Sequence, residues 1–259
     1  MQFPERLRPA RLARRYKRFL ADVVTDDGEE ITCHCPNTGS MMGCAEPGSR
    51  VWLSRASNPA RKYAHTWEMV EVNGGTLVGV HTGRTNALVA EAVADGGLVP
   101  ELAGYDTIRA EVSVPDAPMR ADFRLSGHAE LADAFVEVKN VTAAVDGEGI
   151  ALFPDAVSAR GTRHLEVLMQ VVARGHRGVL VFCAQRSDVR EIRPADRIDP
   201  RYGETLRRAI AGGVEVLGLG ARVTPTQISV DRRLPVVCPD PVAAWSGSEA
   251  ASNKMYGLS

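Results

Sequence analysis

The sequence predicts an all-β barrel followed by an α/β domain. Three observations lead there. Between residues 11 and 81, short β-branched and aromatic runs alternate with Gly, Pro and Asn turns. After His81 the apolar spacing lengthens to a helical period at Thr85–Ala94, Ser158–Arg174 and Tyr202–Ala211. Gly178–Ala184, lying between two of these segments, is continuously apolar, as in a parallel strand buried on both faces.

In the first part the strand candidates are Tyr16–Val24, Glu30–Cys35, Val51–Ser54, Thr66–Val72 and Thr76–Val80. Pro36-Asn37-Thr38-Gly39, Pro47-Gly48, Asn58-Pro59 and Asn73-Gly74-Gly75 separate them. Five short strands suit a small barrel of the OB type, although an SH3-like barrel gives the same pattern. In the second part, helix 85–94 carries the stripe Leu88, Val89, Ala92 and Val93, with Glu91 on its border. Strands follow at Ile108–Val114, Arg120–Leu125 and Ala134–Val141, then a loop through Phe153-Pro154-Asp155. Helix 158–174 buries Leu165, Leu168, Met169 and Val172, and after Gly212-Gly213 the chain returns to strand at Val214–Val223. The order α-β-β-β-α-β describes a sheet flanked by helices. The expected division is residues 1–82, residues 83–237 and a loosely ordered tail, 238–259.

Composition bounds the function. The chain has 259 residues and a formal net charge of −1, so it is no polycation. Basic charge is nevertheless clustered. Arg6, Arg8, Arg11, Arg14, Arg15, Lys17 and Arg18 follow one another without an acid, as do Arg50, Arg55, Arg61 and Lys62. Such local patches suit a polyanion. No secretory leader and no apolar run of membrane-spanning length is evident. Five cysteines are an odd number for a secreted framework and fit a cytoplasmic protein, compatible with a nucleoid association. Cys33 and Cys35 share a strand face, but Cys-x-Cys lacks the spacing of common zinc knuckles, which favours free thiols.

The most informative stretch is Phe135-Val136-Glu137-Val138-Lys139-Asn140. Strand alternation puts Glu137 and Lys139 on one face, between Phe135 and Val141. A carboxylate and an ammonium in so apolar a strand cost several kcal/mol unless paired, hydrated or metal-bound. If the Arg120–Leu125 strand pairs with this one, Asp122 can face Glu137 across the sheet. Two carboxylates are enough for a hydrated Mg²⁺ or Mn²⁺, and Lys139 could orient a water or stabilise charge on phosphorus oxygens. Glu91 could add an outer ligand. Arg160 and His164 share a helix side, with phosphate contact or proton transfer weighed evenly against a partly buried helix histidine. Arg160 and Arg163 near a helix N-terminus could hold a phosphate. Asp155 reads as a turn residue more than a support for the acids.

For nucleic-acid contact the candidates are Arg15, Lys17, Arg18, Asn37, Arg55, Arg61, Lys62 and Tyr63. Tyr16-Lys17-Arg18-Phe19 and Arg61-Lys62-Tyr63 interleave charge with aromatics, which suits stacked bases and paired phosphates. Pro36-Asn37-Thr38-Gly39-Ser40 is either a nest of N–H groups for an anion or a plain turn.

Six motifs in chain order carry a family resemblance. They are Arg15-Tyr16-Lys17-Arg18-Phe19-Leu20, His34-Cys35-Pro36-Asn37-Thr38-Gly39, and Arg61-Lys62-Tyr63 with Thr66-Trp67-Glu68. The others are Glu137-Val138-Lys139-Asn140-Val141-Thr142, Phe153-Pro154-Asp155-Ala156-Val157, and Arg160-Gly161 with His164-Leu165. Together they resemble the sugar fermentation stimulation protein A (SfsA) family over residues 1–237. The resemblance implies an N-terminal OB-like domain and a C-terminal domain similar to the PD-(D/E)xK nucleases. It implies DNA binding, favoured over RNA and largely without sequence preference. On the nuclease pattern Asp122, Glu137 and Lys139 take the acid, acid and lysine positions, and the helix bearing Glu91 takes the place of the first-helix acid. A metal-dependent nuclease is one expectation. A non-catalytic DNA-binding regulator of sugar (maltose-type) metabolism is the other. A metabolite-binding regulator finds no phosphate loop in the sequence. The oligomeric state stays open.

Overall fold

The structure is a computed structural model that describes residues 1–145 and 147–240. The N-terminal part is a barrel. β1 (Arg8–Tyr16), β2 (Leu20–Thr25), β3 (Glu30–His34), β4 (Arg50–Arg55) and β5 (His65–Val72) run in the order β3-β2-β1-β4-β5. The parallel pair His34↔Thr66 closes β3 onto β5, and β6 (Thr76–Gly79) extends from β5. This is the five-stranded OB arrangement expected above. Inward residues such as Leu12, Val23, Cys33, Val51, Leu53, Trp67 and Val70 fill it.

The strand expected over Tyr16–Val24 is in fact a hairpin corner. Tyr16 pairs with Leu20, and Lys17 and Arg18 take φ of 50° and 65°. The left-handed region is costly for non-glycine residues, so other bonds must hold the turn. Arg15 does this by donating to the Arg18 carbonyl at 2.9 Å. β1 carries a weak strand signal because its inward residues, Ala10 and Leu12, are few among arginines that point outward.

Residues 83 onward build a six-stranded sheet. β7 (Thr107–Ser113), β8 (Arg120–Ser126), β9 (Ala134–Val141), β12 (Arg177–Ala184), β14 (Glu215–Val223) and β15 (Ile228–Leu234) lie in the order β15-β14-β12-β9-β8-β7. The central β9, β12 and β14 are parallel and the outer pairs antiparallel. α1 (Thr85–Asp95) packs Val89, Ala92 and Val93 against Val136, Val138, Val179 and Val181 on one face. α2 (Ala159–Ala173) and α3 (Pro200–Ala211) pack Leu165, Leu168 and Leu206 against Phe135, Leu180 and Phe182 on the other. β9 is therefore buried on both faces, with Glu137 and Lys139 on the α2 side as alternation requires.

A small sheet of β10 (Ala144–Val145), β11 (Ile150–Phe153) and β13 (Glu191–Pro194) replaces part of the expected loop. β15 has no strand signal in the sequence because Ser229, Asp231, Arg232 and Arg233 give it the polar, charged character of an edge strand. Gly79 N–H donates to the Gln185 carbonyl at 2.8 Å, joining barrel to sheet. Of the expected tail, 241–259 lies outside the described residues.

Candidate active site

The ladder between β8 and β9 ends at Phe123↔Val136, and in that register the next residue, Asp122, stands opposite Glu137. Instead of continuing the ladder, the Asp122 carboxylate accepts the Val138 N–H at 2.7 Å. Its second oxygen accepts from Asn86 Nδ2, near the start of α1, at 2.8 Å. Glu137 is 4 % exposed. Its Oε1 accepts from Lys139 Nζ and lies 2.5 Å from His164 Nδ1 on α2, while Oε2 has no hydrogen bond among the described residues. Arg160 Nε donates to the far side of the same imidazole, Nε2, at 3.2 Å. Ser158 caps α2 by accepting the Gly161 N–H, which fixes where Arg160 and His164 start their turn.

Asp122 and Glu137 open on one cleft of about 390 Å³, whose walls also include Arg120, Arg160, Arg163, His164 and Glu111. The two acids are tuned in opposite directions. Burial and the neighbouring Glu137 charge raise the Asp122 pKa, against the opposing pull of the Val138 and Asn86 hydrogen bonds. Burial also pushes Glu137 upward, but the His164 hydrogen bond and the Lys139 charge outweigh it and hold Glu137 below its ordinary value. The arrangement concentrates negative charge on two inward carboxylates and surrounds it with guanidinium groups. It can take a cation between the acids and an anion beside them.

Not every candidate joins this cleft. Glu91 pairs with the Met1 ammonium at 2.7 Å and its side chain is 55 % exposed, so the expectation of an outer ligand is not met. Asn86, on the same helix, makes the contact with Asp122 instead. The sequence offered no sign of it, but Arg120 was within reach, since strand alternation puts it on the Asp122 face.

On the barrel, two expected nucleic-acid contacts turn out to be structural. Arg15 donates to the carbonyls of Arg18, Asn37, Gly39 and Ser40. Asn37 is buried and accepts the Gly39 N–H at 2.9 Å as an Asx turn. The anion in this turn is internal: Asp155 accepts the Met41 N–H at 2.9 Å and lies directly over Gly39. Lys17, Arg18, Arg55, Arg61 and Lys62 are exposed, and Lys62 sits 5.5 Å over the Tyr63 ring. Cys33 and Cys35 are buried free thiols. No helix is long and apolar enough to cross a membrane, among the described residues.

The SfsA N-terminal OB domain model matches residues 13–80, and the model described as the sugar fermentation stimulation protein RE domain matches residues 83–227. The chain belongs to the SfsA family. The SfsA relatives include the sugar fermentation stimulation protein homologue of Alkalilimnicola ehrlichii, 60 % identical over 240 residues, covering 92 % of this chain and all of that one. The Halorhodospira halophila homologue is 60 % identical over 237 residues, covering 91 % of this chain and 98 % of that one. Among solved structures, Pyrococcus furiosus SfsA in complex with Ca²⁺ superposes with a TM-score of 0.80 at 25 % identity, covering 92 % and 98 % of the two chains.

Proposed function

We propose that the chain binds nucleic acid, DNA before RNA, and hydrolyses phosphodiesters at the Asp122–Glu137 cleft with a divalent cation. The observation behind this reading is two carboxylates turned into one arginine-walled cleft with a lysine on the second of them. Binding alone needs no buried acids facing a polyanion. Mg²⁺ or Mn²⁺ suits the donors, since such hard ions accept one or two carboxylates and fill the shell with water and phosphate oxygens. Among the described residues no group of three or more His, Cys, Asp or Glu is placed to hold a metal, so Asp122 and Glu137 would be the main protein share. When bound, such an ion polarises the phosphoryl group and makes a bound water acidic. The calcium complex of the solved relative supports a hard cation on this fold.

The chain's own residues do the rest. Arg160 and Arg163 hold the phosphate by charge and forked hydrogen bonds. Lys139, beside Glu137, stabilises charge on the phosphorus oxygens. His164 keeps the Glu137 carboxylate in one orientation, leaving Oε2 toward the cleft. On the barrel, Lys17, Arg18, Arg55, Arg61 and Lys62 track the backbone, and Tyr63 offers a stacking face.

A second reading is a DNA-binding regulator of sugar metabolism without turnover, of which the family name carries only the sugar fermentation part. One experiment separates the two. End-labelled single-stranded, duplex and branched DNA is incubated with the protein in Mg²⁺, Mn²⁺ or chelator. Hydrolysis predicts nicking or trimming only with metal, abolished in Asp122→Ala while binding persists. Intact DNA of every form under saturated binding overturns the hydrolytic reading.

A further inference from the structure

A second cleft, of about 850 Å³, opens where residues 3–7 cross the barrel beside the 55–64 loop. One buried group in it is already neutralised. Glu68 is fully buried, accepts from Ser54 Oγ at 2.6 Å and is gripped by both prongs of Arg84, at 2.8 and 3.2 Å. The rest of the lining is unbalanced. Arg6, Arg55 and Arg61 face Glu5 alone, leaving two positive charges in excess.

Arg61 is held by neutral partners. Its NH1 donates to Thr66 Oγ1 at 3.1 Å and its NH2 lies 3.3 Å from His34 Nδ1. These are the two residues that close the barrel seam, so the guanidinium is positioned by the fold. Arg6 and Arg55 have no ion pair among the described residues. His81 also lines the cleft, and its Nδ1 is buried without a hydrogen-bond partner. Three forked cations exceed what one carboxylate would need. They match a dianion with three acceptor oxygens.

We propose that this cleft binds a phosphate monoester, either the terminal phosphate of a nucleic-acid strand or that of a phosphorylated small molecule. A single diester phosphate carries one charge and would leave one of the two excess charges unanswered. Arg84 lines this cleft, and Asn86, two residues on in the chain, holds Asp122. The strand-end arm rests on the nucleic-acid reading; the small-molecule arm does not.

The test is binding in chelator, where no cleavage can occur, so it stands or falls apart from hydrolysis. A single-stranded 12-mer with a 5′-phosphate, one with a 3′-phosphate and one with hydroxyls at both ends are titrated by fluorescence polarisation. Inorganic phosphate and glucose 6-phosphate are titrated by calorimetry. Arg6→Gln/Arg55→Gln is the variant, since both side chains are exposed and unpaired and the fold survives their loss. A strand-end site gives at least five-fold tighter binding of one phosphorylated strand, and in the variant that strand falls to the affinity of the other two. A small-molecule site gives equal strands but saturable binding of glucose 6-phosphate or phosphate that the variant loses. Equal strands with neither small ligand bound, or a phosphate preference unchanged in the variant, overturn the proposal.

Discussion

His164 and Glu137 share a 2.5 Å hydrogen bond between Nδ1 and Oε1, and the far side of the imidazole determines its direction. Arg160 Nε always carries a hydrogen and gives it to His164 Nε2. Nε2 is therefore the acceptor, and the Nδ1 hydrogen is donated to Glu137. Nitrogen NMR of the selectively labelled protein at pH 8 should show Nδ1 protonated and Nε2 as the acceptor. The reverse tautomer would remove this ordering of the site. His164→Ala, which frees Glu137 to rotate, should lower metal-dependent cleavage by about 10- to 100-fold, as loss of a supporting contact to a metal-site ligand does.

Asp122 and Glu137 should respond oppositely to pH. The Asp122 pKa is raised on folding, so its contribution to stability is fully present below the unfolded value and lost as pH rises through the folded one. At pH 7, above its unfolded value, Asp122 is a liability to the metal-free protein. Asp122→Asn should therefore match or exceed the wild type in urea denaturation, by up to about 1 kcal/mol, while losing cleavage. The Glu137 pKa is lowered, so its contribution holds above the unfolded value and fades as pH falls through the folded one. Glu137→Gln strands Lys139 and His164 and should cost about 2–4 kcal/mol at pH 7, less in acid. A destabilised Asp122→Asn would contradict this division of roles.

The sequence made β9 legible because a charged pair inside an apolar strand is expensive and so informative. Its pairing with β8 followed from order alone, and Asp122, Glu137 and Lys139 come together as alternation and adjacency required. The arginines on the barrel were less readable. Charge in a sequence does not say what accepts it: Arg15 spends its guanidinium on four carbonyls, while Lys17, two residues on, is exposed. Glu91 was misplaced for a similar reason, since its partner is the chain terminus 90 residues away. Asn86 could not be found because a polar residue in the first turn of a helix has many local explanations.

That contrast yields a third prediction. Arg15→Lys keeps the charge but cannot span the carbonyls of Arg18, Asn37, Gly39 and Ser40. It should lower stability by about 1–2 kcal/mol, since a part-buried network loses acceptor satisfaction. Lys17→Ala/Lys62→Ala should leave the unfolding midpoint unchanged and weaken DNA binding, with a shallower dependence of affinity on salt. If Arg15→Lys instead unfolds like the wild type and loses only DNA affinity, Arg15 belongs with the phosphate contacts after all.

The last prediction concerns the strut between barrel and sheet. A Cβ on Gly39 would come within 2.6 Å of Asp155 Oδ2, closer than such atoms approach. Asp155 cannot simply swing away, because it accepts the Met41 N–H at 2.9 Å. Gly39→Ala should thus cost about 1–3 kcal/mol, the range for overpacking. In an Asp155→Ala background the three closest contacts of the new methyl are gone, and the same substitution should cost at least about 1 kcal/mol less, a coupling typical of residues in contact. Urea unfolding of the four proteins in the cycle measures the difference directly. An additive cycle would mean that the carboxylate above Gly39 bears no load between the two parts of the molecule.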